Sequence, residues 1–163
     1  MTLEVVISGG QTGVDRGALD AAIALGIYHA GFCPKGRKAE DGVIPACYEL
    51  QEHASADYRK RTEANIFASD ATLVLTIGEP TGGTLLTMNL ASRCNKPLVV
   101  VDLVLLARFH REPDLVAKWI VEHKVRMLNV AGPRESKHVG IQRATADYLM
   151  AAFRPFRPKR GER

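Results

Sequence analysis

Five short runs rich in apolar and β-branched residues punctuate the chain. They are 3–8 (LEVVIS), 28–32 (YHAGF), 71–77 (ATLVLTI), 98–102 (LVVVD) and 126–130 (RMLNV). Most are apolar at both odd and even positions, the pattern of strands covered on both faces. Between them the apolar positions recur at helical spacing. Residues 15–25 carry Leu19, Ala22 and Ile23; residues 136–153 carry Ile141, Thr145, Tyr148, Leu149 and Ala152. Residues 113–124 carry Leu115, Val116, Trp119, Ile120 and His123, with Pro113 at the start and Lys124 at the end, as capping and dipole preferences favour. Strand alternating with helix predicts the α/β class. The expected form is a Rossmann-like three-layer α/β/α fold with a mostly parallel sheet of about five strands, joined by right-handed crossovers.

Two segments depart from this rhythm. Residues 33–54 (CPKGRKAEDGVIPACYELQEHA) form a long insert, which in a compact domain is functional or partly structured. Residues 55–69 read as a helix opening at Ser55, but its inward stripe is Tyr58, Thr62, Asn65, Ile66 and Ser69. So polar a stripe either faces a site or lies half solvated at the rim of the sheet. Arg61 and Asn65, four apart, are able to reach one ligand together.

The chain has 163 residues, 46% of them hydrophobic and 25% charged, as one ordinary globular domain does. The net charge of +4 is uneven. Residues 154–163 (RPFRPKRGER) carry five basic side chains and one acidic one, a net of +4, so the rest is balanced. We therefore expect one domain over 1–153 and a flexible, solvated basic tail over 154–163, rather than a nucleic-acid surface. The three cysteines, Cys33, Cys47 and Cys94, include no CxxC pair and point away from a zinc site or a disulfide framework. The chain enters its first strand without a basic leader, and its longest apolar stretch is broken by Asp102. Neither signal peptide nor membrane span is expected, and the location expected is cytoplasmic.

In parallel α/β sheets ligands sit at the carboxyl ends of the strands. The segments there are SGGQTG, CPKGRK, GEPTGGT, Asp102 and AGPRES. Glycines let a backbone approach closely, and helix starts offer unpaired N–H groups to an anion. Phosphate or another oxyanion is the natural guest. A dinucleotide fingerprint would align as Ser8-x-Gly10-x-x-Gly13, but the acid it requires after the second strand is missing. Phe32-Cys33-Pro34-Lys35 stands there, and Lys35, Arg37 and Lys38 favour a phosphate over NAD. Asp15, Asp20, Glu63 and Asp102 are possible acid/base groups, with no pair fixed by spacing. The histidines form no ligand pattern, and no nucleophile triad is evident.

Five motifs in order, ISGGQTGVDRGALDAAIALGI, CPKGRKAEDGVIPACYEL, SADYRKRTEANIFASDATLVL, PTGGT and LNVAGPRES, resemble the molybdenum carrier family, the circularly permuted YpsA branch of the SLOG superfamily. The resemblance runs from about residue 3 to 150. It implies a Rossmann-like homo-oligomer, a dimer or tetramer, that binds a phosphorylated ligand, either molybdenum cofactor or a nucleotide. It places at that ligand Gly9, Gly10, Gln11, Thr12, Gly13, Asp15 and Arg16; Lys35, Gly36 and Arg37; Arg61, Thr62 and Asn65; Thr81, Gly82, Gly83 and Thr84; and Arg134, Glu135 and Ser136. SLOG enzymes of the LOG type, which cleave nucleotides at the glycosidic bond, carry a GGxGTxxE motif. Here Gly82 to Asn89 align with it, and Asn89 stands in the acid's place. That departure favours binding over hydrolysis.

Overall fold

The computed structural model of the protein describes residues 3–108 and 114–158. Strand β1 (Val5–Ile7) leads into helix α1 (Val14–Leu25) and strand β2 (Tyr28–Ala30). The insert then forms four two-residue strands, β3 (Phe32–Cys33), β4 (Lys38–Ala39), β5 (Gly42–Val43) and β6 (Gln51–Glu52). There follow α2 (Tyr58–Ala68), β7 (Ala71–Thr76), α3 (Gly82–Arg93), β8 (Leu98–Asp102), α4 (Leu103–Arg108), α5 (Asp114–Glu122), β9 (Met127–Ala131) and α6 (Ile141–Phe153).

The central sheet has five strands in the order β2-β1-β9-β7-β8. Every pair is parallel, with Val5 opposite Tyr28 and Met127, and Leu73 opposite Val99 and Val130. This is the Rossmann-like α/β fold expected. The last strand among the described residues, β9, lies in the middle of the sheet. Every residue of β7 is buried, as a central strand covered on both faces requires. Ala71, Leu73 and Leu75 join one core cluster with α1, α5 and α6. Strand alternation sends Thr72, Val74 and Thr76 to the other face, the side of α2 and α3. There Ile66, Leu90 and Ala91 make a smaller cluster. Each fully buried side chain such as Ile7, Leu73 or Phe153 contributes about 1.5–3 kcal/mol over leaving it exposed.

Several boundaries differ from the sequence reading. The run 28–32 is split, because Gly31 turns the chain at φ 145° with its backbone against Ser8, and β3 then pairs with β6 instead. Helix α2 starts at Tyr58, not Ser55, because the Asp57 carboxylate accepts the Arg59 N–H at 2.9 Å and caps it. Helix α6 starts at Ile141, because Glu135 turns back and accepts the N–H groups of Gly140 and Gln142. The expected helix start at Pro113 lies outside the described residues. Residues 154–156, read as tail, form a 3-10 turn that buries Phe156 against the main core. Residues 159–163 of that tail lie outside the described residues. Asp102 ends β8 and caps α4 through Val104 N–H at 2.8 Å, so its carboxylate has a structural task.

Candidate functional site

The carboxyl ends of β1, β9 and β7 are neighbours in the sheet. The helices that follow β1 and β7 pack on opposite faces, so the loops part there and leave a crevice. A cavity of about 300 Å³ opens at this point. It is lined by twelve of the residues singled out from sequence: Gly9, Gln11, Asp15, Arg61, Thr62, Asn65, Thr81, Gly82, Gly83, Thr84, Arg134 and Ser136.

Each wall has a local cause. The first is the loop after β1. Gly13 takes φ 82°, and a Cβ there would stand 2.4 Å from the Pro133 carbonyl, so only glycine lets this loop meet the one after β9. Gly9 leaves room of another kind, since a Cβ on it would fall 1.5 Å from Nη1 of Arg61. Arg61 thus lies across the glycine backbone and reaches Oδ2 of Asp15 at 3.3 Å. Asp15 is 5% exposed. Burial pushes its carboxyl up, against the downward pull of Arg61 and of the Gln11 N–H. Nε of Arg61 and Nε2 of Gln11 are buried without a hydrogen-bond partner. Buried donors without a protein partner are uncommon, and these two belong to residues that line the cavity.

The second wall is the start of α3. The first intrahelical bond of that end runs from Thr84 N–H to the Thr81 carbonyl at 3.1 Å. The N–H groups of Gly82 and Gly83 precede it, and Thr81 supplies no side-chain cap. A Cβ on Gly83 would meet nothing within 4 Å, so no protein contact demands glycine there. The helix dipole adds partial positive charge at this end.

The third wall is the turn after β9. Arg134 stacks over the Tyr58 ring at 5.4 Å, and Arg61 lies 5.9 Å from the same ring. Tyr58 therefore gathers two guanidiniums at the mouth. The lining also holds Lys137 and His138, residues that the sequence reading had not selected, along with Thr76, Glu79, Leu86, Thr87, Asn129 and Gly132. Thr76 is the last residue of β7, a position from which it could have been found in the sequence; Asn129, in the middle of β9, carries no such signal. Lys137 directly follows the AGPRES segment, one residue past those chosen.

Eight selected residues are not in the lining. Gly10 and Gly13 shape the first loop from behind. Arg37 donates to four backbone carbonyls, of Ile44, Pro45, Tyr48 and Leu50, and so staples the 33–54 insert. Lys35 and Gly36 are exposed on that insert. Arg16 is committed to Asp41 at 2.5 and 2.7 Å and to the Gly10 carbonyl. Glu135 caps α6, and Thr12 bonds to Glu40 and to the Glu135 N–H. Asn65 does line the cavity, but its amide pairs with both polar backbone groups of Phe32 at 2.7 and 3.0 Å. It ties α2 to β3. Asn89, aligned with the LOG-type acid, is exposed and outside the lining. The carboxylates that do line the cavity are Asp15 and Glu79, so Asn89 does not decide whether an acid is present.

A five-stranded parallel sheet with glycine loops and a helix start around a cavity at its carboxyl edge defines a Rossmann-like α/β protein. Residues 6–153 match the model of the circularly permutated YpsA SLOG family, and the chain belongs to that family. Among solved structures it is similar to the crystal structure, at 1.45 Å resolution, of the "Putative molybdenum carrier protein" from Syntrophus aciditrophicus SB. The identity is 42% and the TM-score 0.84, over 93% of this chain and 95% of that one. No curated protein matches this chain. Among the described residues no helix is long and apolar enough to cross a membrane.

Proposed function

We propose that this protein binds a small phosphorylated ligand in the cavity and acts as a carrier of the molybdenum-cofactor class. The observation that carries the reading is the meeting, in one lining, of the Gly82 and Gly83 amides with Arg61, Arg134 and Lys137. Those groups suit a phosphate. The relative from Syntrophus is named as a carrier, and that name supports the choice of ligand class. The donor set fits such a guest. The molybdenum cofactor brings its own sulfur ligands to the metal, so the protein has to hold only the phosphorylated end and the ring. Among the described residues no cluster of three His, Cys, Asp or Glu is placed to hold a metal itself. Arg134, Lys137 and the start of α3 would take the phosphate; Gln11, through its unpaired Nε2, would meet a ring acceptor.

Native mass spectrometry of protein purified without oxygen tests this. A retained adduct with the mass of a molybdopterin species is the expected result; a nucleotide-mass adduct would replace the ligand and keep the site. The same spectrum counts subunits and checks the homo-oligomer that the family resemblance implies. A second reading has its own observation, the two carboxylates Asp15 and Glu79 in the lining. It is hydrolysis of a nucleotide at the glycosidic bond. Base release from nucleoside monophosphates, lost in Asp15→Asn, would establish it.

A further inference from the structure

The hairpin of β4 and β5 is tipped by two acids, Glu40 and Asp41, and both reach the loops at the carboxyl edge of the sheet. Asp41 pairs with Arg16. Glu40 lies outside the cavity lining but bonds to Ser136, which is part of it. One of its carboxylate oxygens accepts from the Thr12 hydroxyl and from the Ser136 N–H at 3.1 Å; the other accepts from the Ser136 hydroxyl at 2.6 Å. Its own N–H donates to Oε1 of Gln11 at 2.9 Å, as does the N–H of Thr12 at 3.0 Å. Burial raises the Glu40 carboxyl, and the bonds from Ser136 and Thr12, with Arg134 nearby, outweigh it and hold the group below its ordinary value.

Two hydroxyls, a backbone N–H and a nearby guanidinium are the donor set of an oxyanion site, and here a carboxylate of the chain fills it. An independent feature points to a guest. Gln11 is 7% exposed, lines the cavity, and has its Nε2 unpaired beside the Oε1 that holds Glu40 and Thr12. Ser136 and Arg134 line the same cavity, so the cradle opens onto it. Its occupant is open to solvent: Glu40 is exposed, on a hairpin of two-residue strands.

We propose that the Thr12–Ser136 cradle is a second oxyanion subsite of the cavity, held by Glu40 in the empty protein, and that the ligand is of the diphosphate class, its second anionic group displacing Glu40 and releasing the hairpin. This deepens the reading of a phosphorylated ligand and rests on it. A phosphate bears more charge and more acceptor oxygens than the carboxylate it replaces, and so competes well for the same donors.

The test is calorimetric titration at fixed ionic strength with inorganic phosphate and with inorganic pyrophosphate. It is run on the full chain and on Glu40→Ala, with amide hydrogen exchange followed across residues 38–44. Pyrophosphate is expected to bind the wild type more tightly than phosphate and to speed exchange in the hairpin. Glu40→Ala is expected to tighten pyrophosphate about ten-fold, the order of one charge-assisted hydrogen bond no longer competed for. Glu40→Gln, which keeps the shape and removes the charge, should move the same way by less. If phosphate binds but pyrophosphate gains nothing and the variants change nothing, the subsite is overturned and the phosphate reading stands. If the variants weaken both anions, Glu40 is a structural strap and the proposal is likewise overturned. If neither anion binds any of the proteins, the phosphorylated-ligand reading falls and takes the subsite with it.

Discussion

Asp15 and Gly83 show how much one residue is able to decide. The Asp15 carboxyl lies above its ordinary value of 3.8 because burial outweighs Arg61. The folded protein therefore holds that proton more tightly than the unfolded chain does. As pH rises from 3.8 through the raised value, the Asp15 contribution to stability falls, and above that value it is constant. Asp15→Asn stays neutral throughout. The difference in urea midpoint, wild type minus variant, should therefore decline with pH over that window and then level off. A flat difference would contradict the assignment. Gly83 separates folding from binding. Nothing stands within 4 Å of a Cβ placed there, and the residue lies in the first turn of α3. Gly83→Ala should stabilise the fold by up to about 1 kcal/mol. It should also weaken phosphate binding, because the methyl occupies the approach to the amides. Thermal melts and calorimetry on one variant read both effects, and a gain in stability with unchanged affinity would remove Gly83 from the site.

Elements hold the site through side chains that look like binders. Helix α2 has few apolar contacts of its own, with only Asn65 and Ile66 buried. It is fixed by the Asn65 amide on Phe32, and at its carboxyl end by Lys96, whose ammonium donates to the carbonyls of Ile66, Phe67 and Ser69. Asn65→Ala leaves the N–H and carbonyl of Phe32 without partners. It should cost about 2–4 kcal/mol of stability by urea unfolding. Arg61 sits one turn earlier on the same helix, so phosphate affinity should fall as well. Loss of affinity with full stability would instead mean that Asn65 touches the ligand directly. The polar stripe read from sequence along this helix thus has two uses. Asn65 and Ser69 face protein backbone, while Tyr58 and Thr62 line the cavity.

At the scale of the molecule, the fold is closed by its carboxyl end. Phe156 is 6% exposed and belongs to the main cluster with Phe153 and Leu149. Phe156→Ala should cost about 3–5 kcal/mol, as deletion of a buried aromatic does. A melt unchanged by that substitution would place Phe156 outside the core. Sequence charge had assigned this residue to a solvated tail, and the error is instructive. The arginines and prolines around Phe156 set the local composition, while one aromatic side chain with a place to go sets the packing.

What the sequence determined by itself was local. Continuous apolar runs marked all five strands of the sheet, and helical spacing marked α1, α2, α5 and α6 but not α3 or α4, because burial leaves a pattern that neighbours in sequence share. The glycine pairs after β1 and at the start of α3 marked where an anion is able to approach backbone, for the same local reason. Only the tertiary structure decided the strand order, since the pairing of β9 between β1 and β7 joins residues far apart in the chain. It also decided which polar side chains remain available. Arg16, Arg37 and Asn65 carry the same chemistry as Arg61, Arg134 and Gln11, and the sequence gives no means to tell them apart. The first three are committed to Asp41, to backbone carbonyls or to the backbone of Phe32, brought close by the fold. The second three face the cavity. A hydrogen bond is a fact about a partner, and partners across the chain are fixed by packing.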